Sequence, residues 1–137
     1  MRRFHHLGLF VNDLVFGLEE LKKTLEITSV SETIADENLL VYIQFAIDSS
    51  GVRYELVAPF GDGNPVEKTL LSKKNILNHV AYLSDSFESD ILELRHSGAI
   101  PLGAPKNSKA FEGRRVIFFL TSVGFIYELI EGAENVG

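Results

Sequence analysis

A chain of 137 residues with 45% apolar content can bury a core without covalent staples. It has no cysteine, which excludes disulfides, thiolate ligands and a cysteine nucleophile. A net charge of −6 argues against nucleic acid as a partner, and no apolar run reaches membrane-spanning length.

Phe4 to Val11 predicts a strand, and Asn12 and Asp13 behind it can cap a helix over residues 14–25 with Leu14, Leu18, Leu21 and Leu25 on one face. The same polar pair leaves the N-terminal apolar stretch too short for a signal sequence, so a cytoplasmic protein is the expectation. Residues 27–34 read as a strand, Asp36–Asn38 as a turn, 39–47 and 52–58 as strands joined by a hairpin, with Pro59 ending the unit. Residues 60–75 are polar, hold two glycines and a proline, and read as a connector with a helical turn at Val66–Leu71. The order then repeats: a strand at 77–83, a helix at 85–96 stopped by Gly98, an irregular stretch at 100–112, and strands at 116–121 and 125–130 turned by Gly124.

The repetition extends to residue identities. His6 and His79 are 73 positions apart, as are Glu55 and Glu128, and each Glu sits in the tripeptide Tyr-Glu-Leu. At the same offset Tyr54 falls on Tyr127, Leu56 on Leu129, Gly51 on Gly124 and Phe45 on Phe118, without a gap. One ancestral unit duplicated once explains this, each copy supplying an imidazole and a carboxylate. Such a set suits a borderline divalent ion. The expected α+β fold is two tandem βαβββ modules, residues 1–60 and 76–137 around a connector at 61–75, in a single domain.

Strand alternation assigns the faces. Glu55 opposes Tyr54 and Leu56, His6 opposes His5 and Leu7, and His79 opposes Asn78 and Val80, so the four candidates share a concave face. On residues 39–47, Val41, Ile43, Phe45 and Ile47 are expected to face the helix, leaving Tyr42 and Gln44 in the cup as substrate contacts. Arg53 shares the parity of Glu55. Lys106, Lys109, Arg114 and Arg115 form a basic cluster, either a solvated edge or a handle, with Arg115 foremost, for an anionic tail. His5 and His96 read as having no partner at the 73-residue offset and as structural.

These features resemble the vicinal oxygen chelate superfamily, whose members include glyoxalase I, methylmalonyl-CoA epimerase, extradiol dioxygenases and resistance proteins. The resemblance spans nearly the whole chain. It rests on the paired modules, on His6-x-Gly8, on YELVAP at Tyr54–Pro59, on NHVAY at Asn78–Tyr82 and on YELIEG at Tyr127–Gly132. The connector at 60–70 is similar to that of the epimerases. By resemblance His6, Glu55, His79 and Glu128 bind one zinc, nickel, cobalt or manganese ion in a cleft of a concave mixed sheet. Glu128, the ligand in the last position, would be the base that moves a proton beside the coordinated carbonyl through an enediolate.

A glyoxalase I (lactoylglutathione lyase)-like isomerase acting on a small thiohemiacetal or thioester is the leading expectation. One base on one face suits it, whereas epimerisation calls for acids on both faces and residues 39–47 contain none. Methylmalonyl-CoA epimerase-like racemisation is the alternative. A small-molecule resistance protein or thiol transferase is the second. The resemblance also implies a homodimer.

Overall fold

The computed structural model describes residues 1–60 and 76–132. The expected connector, with its helical turn at Val66–Leu71, lies outside the described residues. The first half forms β1 (Arg2–Phe10), α1 (Leu14–Thr24), β2 (Ile27–Val30), β3 (Ile34–Asp36), β4 (Val41–Asp48) and β5 (Arg53–Pro59). The second forms β6 (Ile76–Ser84), α2 (Phe87–His96), β7 (Ile100–Pro101), β8 (Lys106–Asn107), β9 (Arg115–Leu120) and β10 (Ile126–Glu131), with a 3-10 turn at Lys109–Phe111.

The strands make one mixed sheet in the order β2-β4-β5-β1-β6-β10-β9-β7, with β3 on β4 and β8 on β9. β5 runs parallel to β1 and β10 parallel to β6, while β1 and β6 meet antiparallel at the centre. Each half thus contributes the same strand pattern on either side of the β1–β6 seam. The α+β architecture expected from the repeat is present.

Helices α1 and α2 cover the outer face. Asp13 starts α1 by accepting the Phe16 N–H at 2.8 Å. Leu14, Leu18 and Leu21 then pack on Val11, Leu56 and Ala58. Phe87, Ile91 and Leu94 of α2 pack on Ile117, Phe119 and Leu129. The inner face carries Val41, Ile43, Phe45, Val57, Val116 and Ile130, closed at one side by Phe111 of the 3-10 turn.

The inner-face set corrects the expected orientation of β4. Gln44 stands opposite Leu56 and Tyr42 opposite Ala58, whereas Phe45 stands opposite Glu55 and Ile43 opposite Val57. Directly opposed residues share a sheet face. Val41, Ile43 and Phe45 therefore line the inner face, and Tyr42 and Gln44 the outer one.

The strand expected over 27–34 is interrupted. One extra residue separates Val30 from Ile34 relative to β4, and Ser31 patches the gap: its Oγ accepts the Phe45 N–H at 2.9 Å. Asp36 makes the predicted turn, its Oδ1 accepting Asn38 and Leu39 N–H groups. Its Oδ2 accepts Ser108 Oγ at 2.9 Å and Lys109 N at 3.0 Å. This buried carboxylate ties the 3-10 turn of the second half to the first.

Candidate metal centre

Sheet register brings the four repeat residues together. Glu55 on β5 lies beside Gly8 on β1, and Gly8 beside His79 on β6. In the neighbouring row, His6 on β1 lies beside Ala81 on β6, and Ala81 beside Glu128 on β10. The residues between each imidazole and carboxylate are small, so the four side chains close over them. A Cβ at Gly8 would stand 1.9 Å from His79 Cε1, so only glycine fits beneath that ring.

All four are buried, and one ligand atom from each lies within 4.8 Å of the others. The two Nε2 atoms are 3.0 Å apart. Glu55 Oε1 stands 3.3 Å from His6 Nε2 and 3.2 Å from His79 Nε2. Glu128 Oε1 repeats those distances, 3.3 and 3.2 Å. Four ligands placed tetrahedrally at ~2.0 Å from one ion have edges of ~3.3 Å, and octahedral neighbours at a similar radius have edges of ~3 Å. The cage therefore has the size of an ion's coordination shell. Glu128 Oε1 is buried with no hydrogen-bond partner among the described residues, which fits an oxygen directed at a shared centre better than one directed at either ring.

Electrostatics support the same match. Burial drives both imidazoles towards neutrality, but the facing carboxylates outweigh it, raising His6 and taking His79 up to about 10. Burial likewise opposes charge on Glu55 and Glu128, and the imidazoles reverse it, holding both below the ordinary carboxylate range. The protons held on the imidazoles give the two carboxylates the positive charge that a divalent cation would supply in their place.

A cavity of about 380 Å³ opens over His79, Glu55 and Glu128. Its walls are mainly apolar, with Phe10, Leu39, Val41, Ile43, Val57 and Phe118 prominent. Its size and apolar lining are those of a small-molecule site. Lys106 reaches its rim.

The remaining expected contacts lie elsewhere. Tyr42 and Gln44 are on the outer face, where Gln44 Nε2 donates to the Ser31 carbonyl at 3.0 Å. Arg53 keeps the parity of Glu55 but is not in the cavity wall; its Nη1 donates to the His5 carbonyl at 3.4 Å. Arg115 is bound to Glu131 at 2.7 Å and Glu88 at 2.8 Å, with its guanidinium 4.8 Å over the Phe87 ring, beside α2. Of the basic cluster only Lys106 faces the cavity.

Three neighbours of the cage escaped the sequence reading. His5 Nδ1 lies 2.7 Å from His6 Nδ1, and Asn78 Oδ1 lies 2.9 Å from His79 Nδ1. Both were expected on the far side of their strands. The β1–β6 ladder slips by one residue between Phe4 and His6, and again where Gly8 and Leu9 oppose His79 and Leu77. The bulges rotate His5 and Asn78 to their neighbours' side. Phe111 stacks on the His6 ring at 5.9 Å, from a segment with no regular pattern. A signal for the first two was present: His5 and Asn78 are themselves 73 positions apart.

A curved mixed sheet of two like halves, with helices outside and a buried imidazole–carboxylate cage within, defines a βαβββ protein of the α+β class. The chain belongs to the Glyoxalase/Bleomycin resistance protein/Dioxygenase superfamily, whose model matches residues 5–118 and so includes His6, Glu55 and His79. No curated protein sequence matches it. Methylmalonyl-CoA epimerase from Mycobacterium tuberculosis superposes with a TM-score of 0.79 at 18% identity, covering 96% of this chain and 89% of that one. The Streptomyces coelicolor enzyme in complex with 2-nitronate-propionyl-CoA gives 0.75 at 22%, covering 96% and 98%. A hypothetical protein from Bacillus halodurans gives 0.76 at 20%, covering 99% and 98%. At these identities the likeness shows the fold.

Proposed function

We propose that this chain is a metal-dependent isomerase that moves a proton on a carbon adjacent to a carbonyl. His6, Glu55, His79 and Glu128 hold one divalent ion, and the cage of 3.0–3.3 Å contacts beneath an apolar cavity is the observation that carries the reading. Such an ion supplies a Lewis acid that polarises a carbonyl and acidifies the neighbouring C–H. Glu128, whose side chain lines the cavity beside the cage, takes the proton. Val41, Ile43, Val57 and Phe118 keep water from the deprotonated carbon.

Two substrate classes follow. The inner face of β4 presents Val41, Ile43 and Phe45, and the carboxylates bordering the cavity among the described residues are Glu55 and Glu128 alone. A single proton-transfer face favours a glyoxalase I-like shift between adjacent carbons of a thiohemiacetal. The second reading, epimerisation of an acyl-CoA, is favoured by the neighbours, several of which are methylmalonyl-CoA epimerases matching almost the entire chain. Metal-reconstituted protein assayed side by side on methylglyoxal–thiol adducts and methylmalonyl-CoA, in deuterated water, separates the two. Glu128→Gln should lower turnover by about 10²–10⁴-fold on whichever substrate reacts. Turnover surviving that change would remove Glu128 as the base.

A further inference from the structure

The bulges beside the cage form a matched pair. On β1, His5 is the extra residue of the bulge between Phe4, opposite Tyr82, and His6, opposite Ala81. On β6, Asn78 is the unpaired residue between Leu77, opposite Leu9, and His79, opposite Gly8. Adding 73 to each residue of the first set, and subtracting it from the facing ones, yields the second. The duplication therefore preserved two irregularities of backbone as well as four ligand-type side chains. Each bulge delivers one polar group to the outer nitrogen of the adjacent imidazole.

The Asn78 contact fixes where His79 carries its proton, and the His5 contact accommodates the matching state of His6. Asn78 Oδ1 only accepts, so His79 Nδ1 must be the N–H and, in the neutral ring, Nε2 is the lone pair facing the cage. At 2.7 Å, His5 Nδ1 and His6 Nδ1 share one hydrogen; with it on His6, the His6 Nε2 lone pair also faces the cage. His5 is itself packed on edge against Phe45 at 6.0 Å and Phe111 at 5.4 Å, so its ring plane is set by aromatic neighbours. Histidine ligands generally owe their tautomer and orientation to such a partner, whose loss costs about 10–100-fold in metal affinity.

We propose that His5 and Asn78 are the positioning residues of the centre, equivalent by the internal repeat, each fixing the tautomer and ring angle of the histidine that follows it. The inference rests on the metal reading of the cage. It assigns to His5 a role beyond the core packing that its sequence context suggests, and it makes the two positions chemically interchangeable: an amide oxygen serves at 78 where an imidazole nitrogen serves at 5.

The test is cobalt(II) affinity by chelator competition, with the visible spectrum of the cobalt-loaded protein and the melting curve of the metal-free protein. His5→Phe retains an aromatic ring among Phe45 and Phe111 but lacks the acceptor, and Asn78→Leu does the same at the half-buried second position. Both are expected to weaken cobalt binding by about 10–100-fold and to change the ligand-field bands. His5→Asn, which places at 5 the group that serves at 78, is expected to restore affinity and spectrum. Wild-type affinity and bands in both His5→Phe and Asn78→Leu would overturn the inference while leaving the metal reading intact. Should His5→Phe fail to fold, Asn78→Leu alone decides. A wild-type chain that binds no cobalt would overturn this inference and the proposed function together.

Discussion

Gly8 shows how little freedom the cage leaves. With the Cβ position of residue 8 already filled by the His79 ring, Gly8→Ala forces that ring aside. Metal affinity should fall at least about tenfold, as for loss of a ligand's support, with Gly8→Ala compared to wild type by chelator competition; unchanged affinity would mean that the ring relaxes freely. At this scale the sequence was informative where a residue repeated. His6, Glu55, His79 and Glu128 were legible because the duplication marks each twice. His5 and Asn78 were misplaced because strict alternation fails at a bulge, and a bulge has no composition of its own. Their 73-residue relation was visible, but an imidazole aligned with an amide does not look like a pair until both are seen donating to or accepting from a neighbouring ring.

Elements were legible where local chemistry and packing agree. The Asp13 cap, Leu14, Leu18 and Leu21 of the expected stripe, and the Gly51 and Gly124 hairpin turns all appear, whereas Leu25, the fourth residue of that stripe, is the extended residue that ends α1. β4 was read with its faces exchanged, because both of its faces are partly apolar: Val41, Ile43 and Phe45 on one, Tyr42 and Ala46 on the other. Alternation alone cannot orient such a strand; its pairing with Glu55 on β5 does. The stretch after α2 was illegible beyond its irregularity, since Asp36, distant in sequence, holds it in place. The helix-facing layer is separate from the cage, which yields a prediction of its own. Leu56 is fully buried under α1, so Leu56→Ala should cost roughly 2–5 kcal/mol. Denaturant melts would measure it, and metal stoichiometry should stay at the wild-type value; coupled loss of metal would show that α1 packing and the cage are one unit.

For the whole molecule, the buried cage ties stability to pH. Folding raises His6 and His79, the latter to about 10, so above the unfolded histidine value of about 6.5 the folded metal-free chain holds protons that the unfolded chain has lost. That stabilisation is complete below about pH 6.5 and disappears as pH climbs towards 10. Glu55 and Glu128 are lowered, so their contribution is present above the unfolded carboxylate value of about 4.3 and is lost as pH falls through the folded values. Metal-free melting temperatures should therefore peak between about pH 4.5 and 6.5. A melting temperature that climbs steadily from about pH 6.5 to 9 would contradict the ion-paired description of the cage.

We propose that the two halves of the chain close one metal site between them, His6 and Glu55 from the first with His79 and Glu128 from the second. Elemental analysis of the purified, metal-reconstituted protein beside a His6→Ala/Glu128→Ala variant tests it most directly. About one divalent transition ion per wild-type chain is expected, as for a closed ligand set of this kind, and none in the variant. No metal in the wild type after reconstitution, or equal metal in both proteins, would contradict it.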